Sequence, residues 1–314
     1  MRDDRPARNT ADGSPQVRVR RRRIGGSGRG IGTFAVLGAP PFLLYVFAVL
    51  VPLALCVFYS LEDYNLLSSS GRFIGLENYR ELFSDSTFWH AYGFTLTITA
   101  FLIVVSNAGG VALAVVLNRP SRAFHALRTV TFIPVILSGV VIAFLWSSIL
   151  TDAGILNSLL HSLHLTSLQH SWLGTTRGAQ LSVLIVSVWP MIGFATTIYM
   201  AALQGIPLEL LEAAEVDGAG SIRRFRHVVW PLLRPALAVN STIMLINGAK
   251  SYETSLILTG GGPNGATETG ALQVLRIGFN ENRSGYAAAI AMVILATIAL
   301  LSVSGIALTR KADR

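Results

Sequence analysis

The strongest constraint on this chain is a series of six apolar runs, each long enough to cross a lipid bilayer as a helix. A helix rises 1.5 Å per residue, so roughly 20 apolar residues span a hydrocarbon core of about 30 Å. Within the bilayer no water is present to bind backbone polar groups, so each run must satisfy them internally. Because the runs lack strict alternation, we predict helices rather than barrel strands, and an all-α fold class. The runs lie near residues 34–60, 91–117, 129–150, 180–203, 236–258 and 286–308.

The overall composition agrees with a polytopic membrane protein. Of the 314 residues, 52% are hydrophobic and 13% are charged, whereas an average soluble domain carries about 25% charged residues. The mean hydropathy is +0.54. This apolar content excludes a disordered chain, and the single cysteine excludes a disulfide framework or a cysteine-based zinc site.

The distribution of basic residues orients the six predicted spans. Most of the 25 Lys and Arg residues lie in the first 30 residues, in the loops after spans two and four, and at the C-terminal end. Cytoplasmic loops of membrane proteins carry an excess of Lys and Arg. We therefore expect both termini in the cytoplasm, which agrees with an even number of spans in a bacterial cytoplasmic (inner) membrane protein.

The basic N-terminal segment, residues 1–30, contains the arginine run 20–23. Such a run can bind nucleic acid, but no aromatic platform or recognition fold accompanies it. We predict a disordered cytoplasmic tail that contacts anionic membrane lipid and helps to set the topology, with no nucleic-acid partner. Residues 31–310 are then the membrane domain, and residues 311–314 form a second cytoplasmic tail.

Motifs for catalysis are missing from the sequence. The segment Gly248-Ala249-Lys250-Ser251 comes closest to a phosphate-binding loop, but Ala249 stands where that loop needs its second glycine. The zinc-protease and serine-hydrolase motifs do not occur. His161 and His164 are predicted to share a helix face, but no carboxylate or cysteine completes a metal site. We expect a chain that is not an enzyme and binds no cofactor or metal.

The most informative segment is the loop at residues 204–235, which is predicted to form a helix–turn–helix outside the bilayer. Pro207 suits a first helical turn, and Asp217-Gly218 suits a helix end, because glycine adopts the left-handed conformation at little cost. Ser221 is predicted to cap a second short helix that ends at Pro231. The first helix can dock into a groove on a partner protein, or rest on lipid headgroups as an amphipathic helix.

This loop resembles the EAA loop of ABC-importer permeases. The resemblance rests on Glu212-Ala213-Ala214, Asp217-Gly218-Ala219, Phe225, Trp230-Pro231 and Pro235. Over about residues 31–310 the chain is similar to the sugar-transport branch of that family, specifically to the first of its two permease subunits, the maltose and glycerol-phosphate type. Supporting segments are Gly75-Leu76-Glu77-Asn78-Tyr79, Phe132-Ile133-Pro134, Leu258–Pro263 and Thr267-Glu268-Thr269.

The resemblance implies a bundle of the type I ABC-importer kind and a permease subunit that translocates a carbohydrate. It implies cytoplasmic ATPase subunits that bind ATP and receive the EAA helix, a second homologous permease subunit, and an extracytoplasmic solute-binding protein. In this frame Glu212 contacts the ATPase and Gly218 forms the bend that shapes the docking helix. The coupling residues implied are Glu212, Ala213, Ala214, Asp217, Gly218, Ala219, Phe225 and Pro231.

Polar residues inside the predicted spans are candidates for substrate contact, because burying them is costly. A cluster in span five comprises Asn247, Lys250, Ser251, Tyr252 and Glu253; Asn107 and Trp189 in other spans are weaker candidates. Lys250 and Glu253 are three residues apart and can pair on one helix face. The cluster can line the path, with Tyr252 stacking on a sugar. Alternatively, Lys250 snorkels outward or pairs with Glu253 as a structural link between helices.

Two other function classes each require features of their own. A secondary transporter needs ion-coupling carboxylates deep in the spans or an internal repeat, and Glu253 is the one acidic residue within the predicted spans. A membrane-embedded enzyme needs a catalytic constellation that the sequence lacks. The secondary transporter remains the alternative to an ATP-driven permease.

Overall fold

The computed structural model describes residues 37–118 and 121–312, with side chains described as far as Gly305 in the last helix. The described residues divide into two compact units between Pro52 and Leu53. Every site discussed below lies in the second unit. The predicted tail at residues 1–30 lies outside the described residues, as do residues 313–314.

The chain is helical apart from one β-hairpin, in the part that the structure describes. The hairpin was not predicted; its strands pair antiparallel, with Glu62 opposite Phe73. In chain order the elements are α1 Leu37–Ser60, β1 Glu62–Asn65, β2 Ser70–Phe73, α2 Glu77–Ser84, α3 Ser86–Leu117, α4 Arg122–Ile136, α5 Gly139–Leu150, α6 Ile155–Ser162, α7 Thr176–Gln204, α8 Leu208–Val216, α9 Ser221–Ala249, α10 Glu253–Thr259, α11 Gly270–Leu275 and α12 Ser284–Ala312. A π-helical turn lies in α1, in α3 and in α9, and another follows α11.

The predicted number of membrane spans is confirmed. Six helical stretches of the described residues are long and apolar enough to cross a membrane. They are Leu37–Ser60, Ser86–Leu117, Gly139–Ser162, Thr176–Gln204, Ser221–Ala249 and Ser284–Gly305. The predicted all-α class is therefore correct.

The helix α7 lies at the centre of the bundle and packs against α3, α4, α5 and α9. Its approach to α3 is close because Gly110 lacks a side chain: a Cβ there would lie 2.6 Å from the Cβ of Ala195. Buried apolar side chains such as Ile98, Val183 and Met244 fill the space around this contact. The dense packing of this core explains why small residues are needed where the helices touch.

The predicted third span, residues 129–150, is interrupted in the structure. Leu137 and Ser138 are extended, with ψ of 143° and 149°, so α4 ends before them and α5 begins after them. The Ser138 hydroxyl accepts a hydrogen bond from the Val141 N–H at 3.3 Å and so caps the new helix. A continuous helix was the wrong prediction because apolar content does not distinguish one long helix from two shorter ones.

The predicted fifth span, residues 236–258, is also two helices. Helix α9 ends at Ala249, Lys250 is its C-cap, and α10 begins at Glu253. Between them Tyr252 has φ −140° and ψ −32°, which is outside the helical range. The prediction missed this break because no proline or glycine falls within residues 249–253.

Two local features position the helices next to the functional surfaces: a buried hydrogen-bonded amide and a short linker. At one end, the buried Asn78 amide of α2 donates to the carbonyls of Ser60 and Glu62, both at 2.9 Å. These bonds give a structural role to the segment Gly75–Tyr79 noted in the sequence. Elsewhere, residues 205–207 alone separate α7 from α8.

Candidate functional site

The helix α8 is the element that the sequence predicts to contact a partner, and Pro207 sets its start. Pro207 immediately precedes the helix, with φ −57° and ψ 129°, in a position where its missing N–H is not needed. Glu209 lies in the first turn, near the positive end of the helix dipole. The predicted start is confirmed to within one residue.

The end of α8 is fixed by Gly218, whose φ is +74°. The Ala219 N–H donates to the carbonyl of Ala214 at 2.9 Å, and the Gly218 N–H donates to the carbonyl of Glu215 at 3.0 Å. These two bonds define a Schellman motif, in which the residue after the C-cap is left-handed. No atom lies within 4 Å of a Cβ built on Gly218, so conformation rather than space requires glycine here. The predicted helix end is confirmed.

An ion pair joins α8 to the start of α9. The Arg224 guanidinium lies 3.1 Å from the Glu215 carboxylate, and the Glu215 side chain is 74% exposed. Exposed ion pairs of this kind contribute little stability, roughly 0–1 kcal/mol. The turn at Gly218 therefore sets the geometry of the loop more than this pair does.

Apart from the Glu215 ion pair, the surface of α8 is largely uncovered within the described residues, because none of its side chains is buried. Val216 is 87% exposed and Ile222, just beyond the turn, is 84% exposed. Exposed apolar groups next to acidic ones are typical of a protein-interaction surface. Of the predicted coupling residues, the exposed ones are Glu212, Ala213, Asp217 and Gly218, and the half-buried ones are Ala214, Ala219, Phe225 and Pro231.

The second half of the predicted helix–turn–helix differs from the structure. Gly220, not Ser221, is the N-cap of the following helix, and its carbonyl accepts from the Arg224 N–H at 2.9 Å. The helix does not end at Pro231 but continues to Ala249. The π-helical turn at Phe225–Val229 precedes Pro231, which then falls in the first turn of an α-helical segment and needs no N–H donor.

The predicted substrate-contact residues meet at one cavity, which we call the Lys250 cavity. Its volume is about 330 Å³. All five candidates line it, together with residues from α3, α5 and α7. The complete lining is Leu102, Gly139, Ile142, Val186, Ser187, Pro190, Met191, Asn247, Lys250, Ser251, Tyr252, Glu253 and Thr254.

The predicted pairing of Lys250 with Glu253 on one helix face is wrong. The two residues lie on either side of the break between α9 and α10, so helical spacing does not apply to them. They form no ion pair in the part of the chain that the structure describes. Both charges therefore remain available to a solute in the cavity.

The Glu253 carboxylate is placed by Gly139 at the start of α5. A Cβ at position 139 would overlap with Oε2 of Glu253. The first turn of a helix also carries a partial positive charge, which stabilises a carboxylate. The Ser187 hydroxyl lines the same cavity and has no hydrogen-bond partner among the described residues.

Both interrupted spans break at this cavity. Gly139 follows the break at residues 137–138, and residues 250–252 form the other break. Irregular backbone at membrane depth is tolerated where it lines a cavity or is buried in protein. The breaks thus expose polar groups for hydrogen bonding where continuous helices would have none.

The segment that follows α10, at residues 260–268, forms a turn held by side-chain hydrogen bonds. The Thr259 and Thr267 hydroxyls lie 2.6 Å apart, and the Thr267 hydroxyl donates to the Gly262 carbonyl at 2.8 Å. Glu268 is 4% exposed and lies 3.0 Å from the Arg276 guanidinium. Burial raises the pKa of Glu268, and the charge of Arg276 opposes part of this rise.

A larger cavity, which we call the Trp89 cavity, was not predicted from the sequence. Its volume is about 880 Å³. It lies between the first turns of α3, the first turns of α7 and the turn at 263–268. No sequence pattern indicates it, because these three segments are far apart in the chain. The lining is Ser86, Thr87, Trp89, His90, Gly93, Phe94, Thr97, Thr176, Arg177, Gln180, Leu181, Leu184, Pro263, Asn264, Gly265, Ala266 and Glu268.

The weaker candidates Asn107 and Trp189 have partners inside the bundle. The Tyr199 hydroxyl donates to Asn107 at 2.7 Å, and the Asn107 amide donates to the Ser241 hydroxyl at 3.3 Å. Asn107 therefore joins α3, α7 and α9. The Trp189 ring packs edge-on against Trp146, with ring centroids 5.7 Å apart.

Across residues 37–118 and 121–312, no group of three His, Cys, Asp or Glu side chains could hold a metal ion. The prediction that His161 and His164 share a helix face is wrong. Helix α6 ends at Ser162, and His164 has φ +60°.

Comparison with known protein families gives a match over most of the bundle. The model of the family described as binding-protein-dependent transport system inner membrane component matches residues 106–312. The chain belongs to this family. This permease therefore carries the EAA motif typical of the family at Glu212-Ala213-Ala214, on helix α8. It is a multi-pass inner membrane protein.

Two curated relatives match this permease over most of their length. The probable starch degradation products transport system permease protein AmyD of Thermoanaerobacterium thermosulfurigenes is 33% identical over 275 residues, covering 88% of this chain and 93% of AmyD. The multiple sugar-binding transport system permease protein MsmF of Streptococcus mutans is 32% identical, covering 86% of this chain and 93% of MsmF.

The fold of the permease is also found in a solved structure. A chain of the bacterial alginate ABC transporter, in complex with alginate pentasaccharide-bound periplasmic protein, superposes with a TM-score of 0.79 at 20% identity. The match covers 91% of this permease and 98% of that chain. At this identity the likeness establishes the fold, which is that of an ABC importer permease.

Proposed function

We propose that this permease is the transmembrane subunit of an ATP-driven importer for a carbohydrate. The chain itself binds no ATP and no cofactor in this proposal, and a separate cytoplasmic ATPase supplies the energy. The relatives named for starch degradation products and for multiple sugars support a saccharide as the solute. A second homologous permease subunit and an extracytoplasmic solute-binding protein complete the importer.

The observation that carries the coupling role is the exposed surface of α8. The helix ends in the turn at Gly218, buries none of its own side chains, and presents Glu212 and Val216 outward. A partner with an apolar groove and basic groups would cover this surface. The proposal assigns contact with the ATPase to Glu212, Ala213, Ala214, Asp217, Gly218, Ala219, Phe225 and Pro231.

The Lys250 cavity is proposed as the site at which the saccharide crosses the bundle. Lys250 and Asn247 donate hydrogen bonds, Glu253 accepts them, and Tyr252 offers a ring face. Sugar hydroxyl groups are both donors and acceptors, so this mixture suits them. Ser251 lies between Lys250 and Tyr252 in the break.

The orientation follows from the proposed contact with a cytoplasmic ATPase. Four of the six spans precede α8 and two follow it. Because an even number of crossings returns the chain to the same side, both termini and the basic segment at 1–30 lie in the cytoplasm if α8 does. In this proposal residues 31–310 form the membrane domain, the basic segment at 1–30 contacts anionic lipid, and residues 311–314 are a cytoplasmic tail. The basic loops on this side agree with the positive-inside rule.

Reconstitution tests the proposal. Proteoliposomes would contain the permease with its second permease subunit and ATPase, with the solute-binding protein added outside. We expect ATP-dependent uptake of at least one saccharide from a panel of maltose, maltotriose, sucrose and alginate pentasaccharide. Uptake by the permease alone, driven by a proton gradient without ATP, would instead support a secondary transporter.

A crosslinking experiment tests the contact surface. Cys56 is the single native cysteine, so a Cys56→Ser background allows one new thiol at the exposed Val216. We expect Val216→Cys to crosslink to the ATPase, and a cysteine at the exposed Leu67 in the β-hairpin turn not to. Equal crosslinking of both thiols would contradict the assignment of α8.

A further inference from the structure

The Trp89 cavity and the Lys250 cavity share one side of helix α7. Arg177, Gln180 and Leu184 line the first cavity, and Ser187 and Met191 line the second. These positions follow one another at intervals of three or four residues, which places them on one helix face. The two cavities therefore follow one another along α7.

A second wall also connects the two cavities. Helix α10 begins at Glu253, in the Lys250 cavity, and leads to the turn at 263–268, in the Trp89 cavity. The Gln180 amide donates to the Ala266 carbonyl at 2.9 Å and fastens this turn to α7. A solute that enters along α7 from its first turn meets the Trp89 cavity before the Lys250 cavity.

The Trp89 ring provides a fixed apolar surface in the first cavity. Its indole N–H donates to the Phe83 carbonyl at 3.0 Å. The ring also packs edge-on against Phe88 and Tyr92, with centroids 5.3 and 5.8 Å away. Trp89 nevertheless remains 46% exposed, so its orientation is fixed while part of its surface stays available.

Polar groups surround this aromatic surface. Arg177 is exposed and forms no ion pair in the described part of the chain. The lining also contains His90, the Asn264 amide and the buried Glu268 carboxylate. An aromatic face bordered by donors and acceptors matches a saccharide, which has apolar C–H faces and a rim of hydroxyls. The volume lies within the about 300–1,000 Å³ usual for small-molecule sites.

We propose that the Trp89 cavity is a second carbohydrate-binding site, which holds the saccharide before it reaches the Lys250 cavity. Trp89 stacks on a sugar ring, and Arg177 and Asn264 donate hydrogen bonds to its hydroxyls. This inference rests on the proposed function, because the saccharide is the solute of the importer. It adds an entry site separate from the crossing site.

Thiol protection tests the site in the assembled importer. In the Cys56→Ser background, Gly93→Cys places a thiol in the cavity, where no atom lies within 4 Å of the new Cβ. Leu67→Cys is the control, because Leu67 is exposed in the β-hairpin turn and lines neither cavity. The rate of maleimide modification is measured in proteoliposomes without the solute-binding protein, with each saccharide of the uptake panel as the probe.

A saccharide that supports uptake should slow modification at position 93 but not at position 67. At ten times its half-saturating concentration the slowing should be about tenfold, because only the empty site reacts. Trp89→Phe should keep this protection and Trp89→Ala should remove it. Lys250→Met should impair uptake and leave the protection at position 93 unchanged.

The contradictory outcomes are distinct. Uptake of a saccharide that does not protect position 93 would overturn the entry site and leave the proposed function intact. Protection seen only when sugar-free binding protein is added would assign the cavity to protein docking instead. Full protection in Trp89→Ala would also overturn the site as described. Uptake of none of the saccharides would contradict the proposed function and this inference together.

Discussion

The Glu253 carboxylate occupies the space that a Cβ at position 139 would need. This contact joins the start of α10 to the start of α5, across the two breaks that border the Lys250 cavity. Gly139 thereby determines where the single acidic group of the cavity lies. Its influence on a bound saccharide acts through Glu253.

Gly139→Ala should displace the Glu253 carboxylate without disrupting the fold, because the displaced atoms are the far end of a flexible side chain. Loss of a hydrogen bond to a charged group costs about 1.5–3 kcal/mol, so we expect KM for uptake to rise about tenfold or more. Gly38→Ala in α1, which has open surroundings, is the control. In a Glu253→Ala background Gly139→Ala should add nothing; a full additional effect there would refute the positioning role.

Lys250→Met removes the ammonium group from the cavity and keeps most of the side chain's length. If Lys250 donates to the saccharide, KM for uptake should rise about tenfold or more, because a charge-assisted hydrogen bond is lost. Lys250→Arg should retain much of the affinity. Wild-type uptake across a full saccharide titration of Lys250→Met would mean that Lys250 only extends toward water.

Gly218→Val should impair coupling. The left-handed conformation of residue 218 costs a side-chain-bearing residue roughly 1–2 kcal/mol, and a β-branched one at least as much, so the end of α8 should rearrange. We expect saccharide-stimulated ATP hydrolysis to fall while membrane insertion is unchanged. Gly220→Val is the matched control, since Gly220 has φ −62° and ψ 166°, which valine adopts readily. Normal stimulation in Gly218→Val would count against the role of this turn.

Gly193→Ala should lower the thermal stability of the purified permease. The new Cβ would press on the backbone carbonyl of Thr131 in α4, which cannot move aside as a flexible side chain can. Overpacking of this kind costs about 1–3 kcal/mol. Gly93→Ala, which meets no atom within 4 Å, should leave the melting temperature in detergent unchanged or raise it, because alanine favours a helix over glycine. Equal melting temperatures for both variants would be inconsistent with close α4–α7 packing.

Acid should destabilise the start of α3 through Asp85. Burial acts to raise the pKa of Asp85, but hydrogen bonds from Tyr286 and Thr87 outweigh it, and the pKa lies below the ordinary value of 3.8. The carboxylate therefore adds stability above about pH 3.8 that is lost as the pH falls below it. The melting temperature is measured at pH 5 and at pH 3. Its drop between these two conditions should be smaller for Asp85→Asn than for the unsubstituted protein. An identical drop in both proteins would exclude Asp85 as the source.

Several features of this fold could be predicted because they depend on neighbouring residues in the chain. Apolar length alone specifies a membrane helix, so the number of spans was correct. Pro207 and Gly218 have strong local conformational preferences, and the limits of α8 follow from them. Ser221 was assigned wrongly because Gly220, one residue earlier, already supplies the carbonyl that begins the helix.

The remaining features depend on contacts between distant segments. The break at residues 250–252 contains no residue that disfavours helix, and it is supported by surrounding helices. The Trp89 cavity brings together positions such as 89, 177 and 264, whose proximity no sequence pattern indicates. For the candidate site, the polar cluster at 247–253 was recognisable as a group, but the contact of Glu253 with Gly139 was not.

The three residues between α7 and α8 leave almost no slack, because they extend at most about 10 Å. Helix α7 has 29 residues and is about 44 Å long. Under the proposals above, a displacement of α8 by the ATPase would be transmitted directly to α7. This one helix borders both the Trp89 cavity and the Lys250 cavity. The two cavities would then change shape together, because both are lined by the same helix.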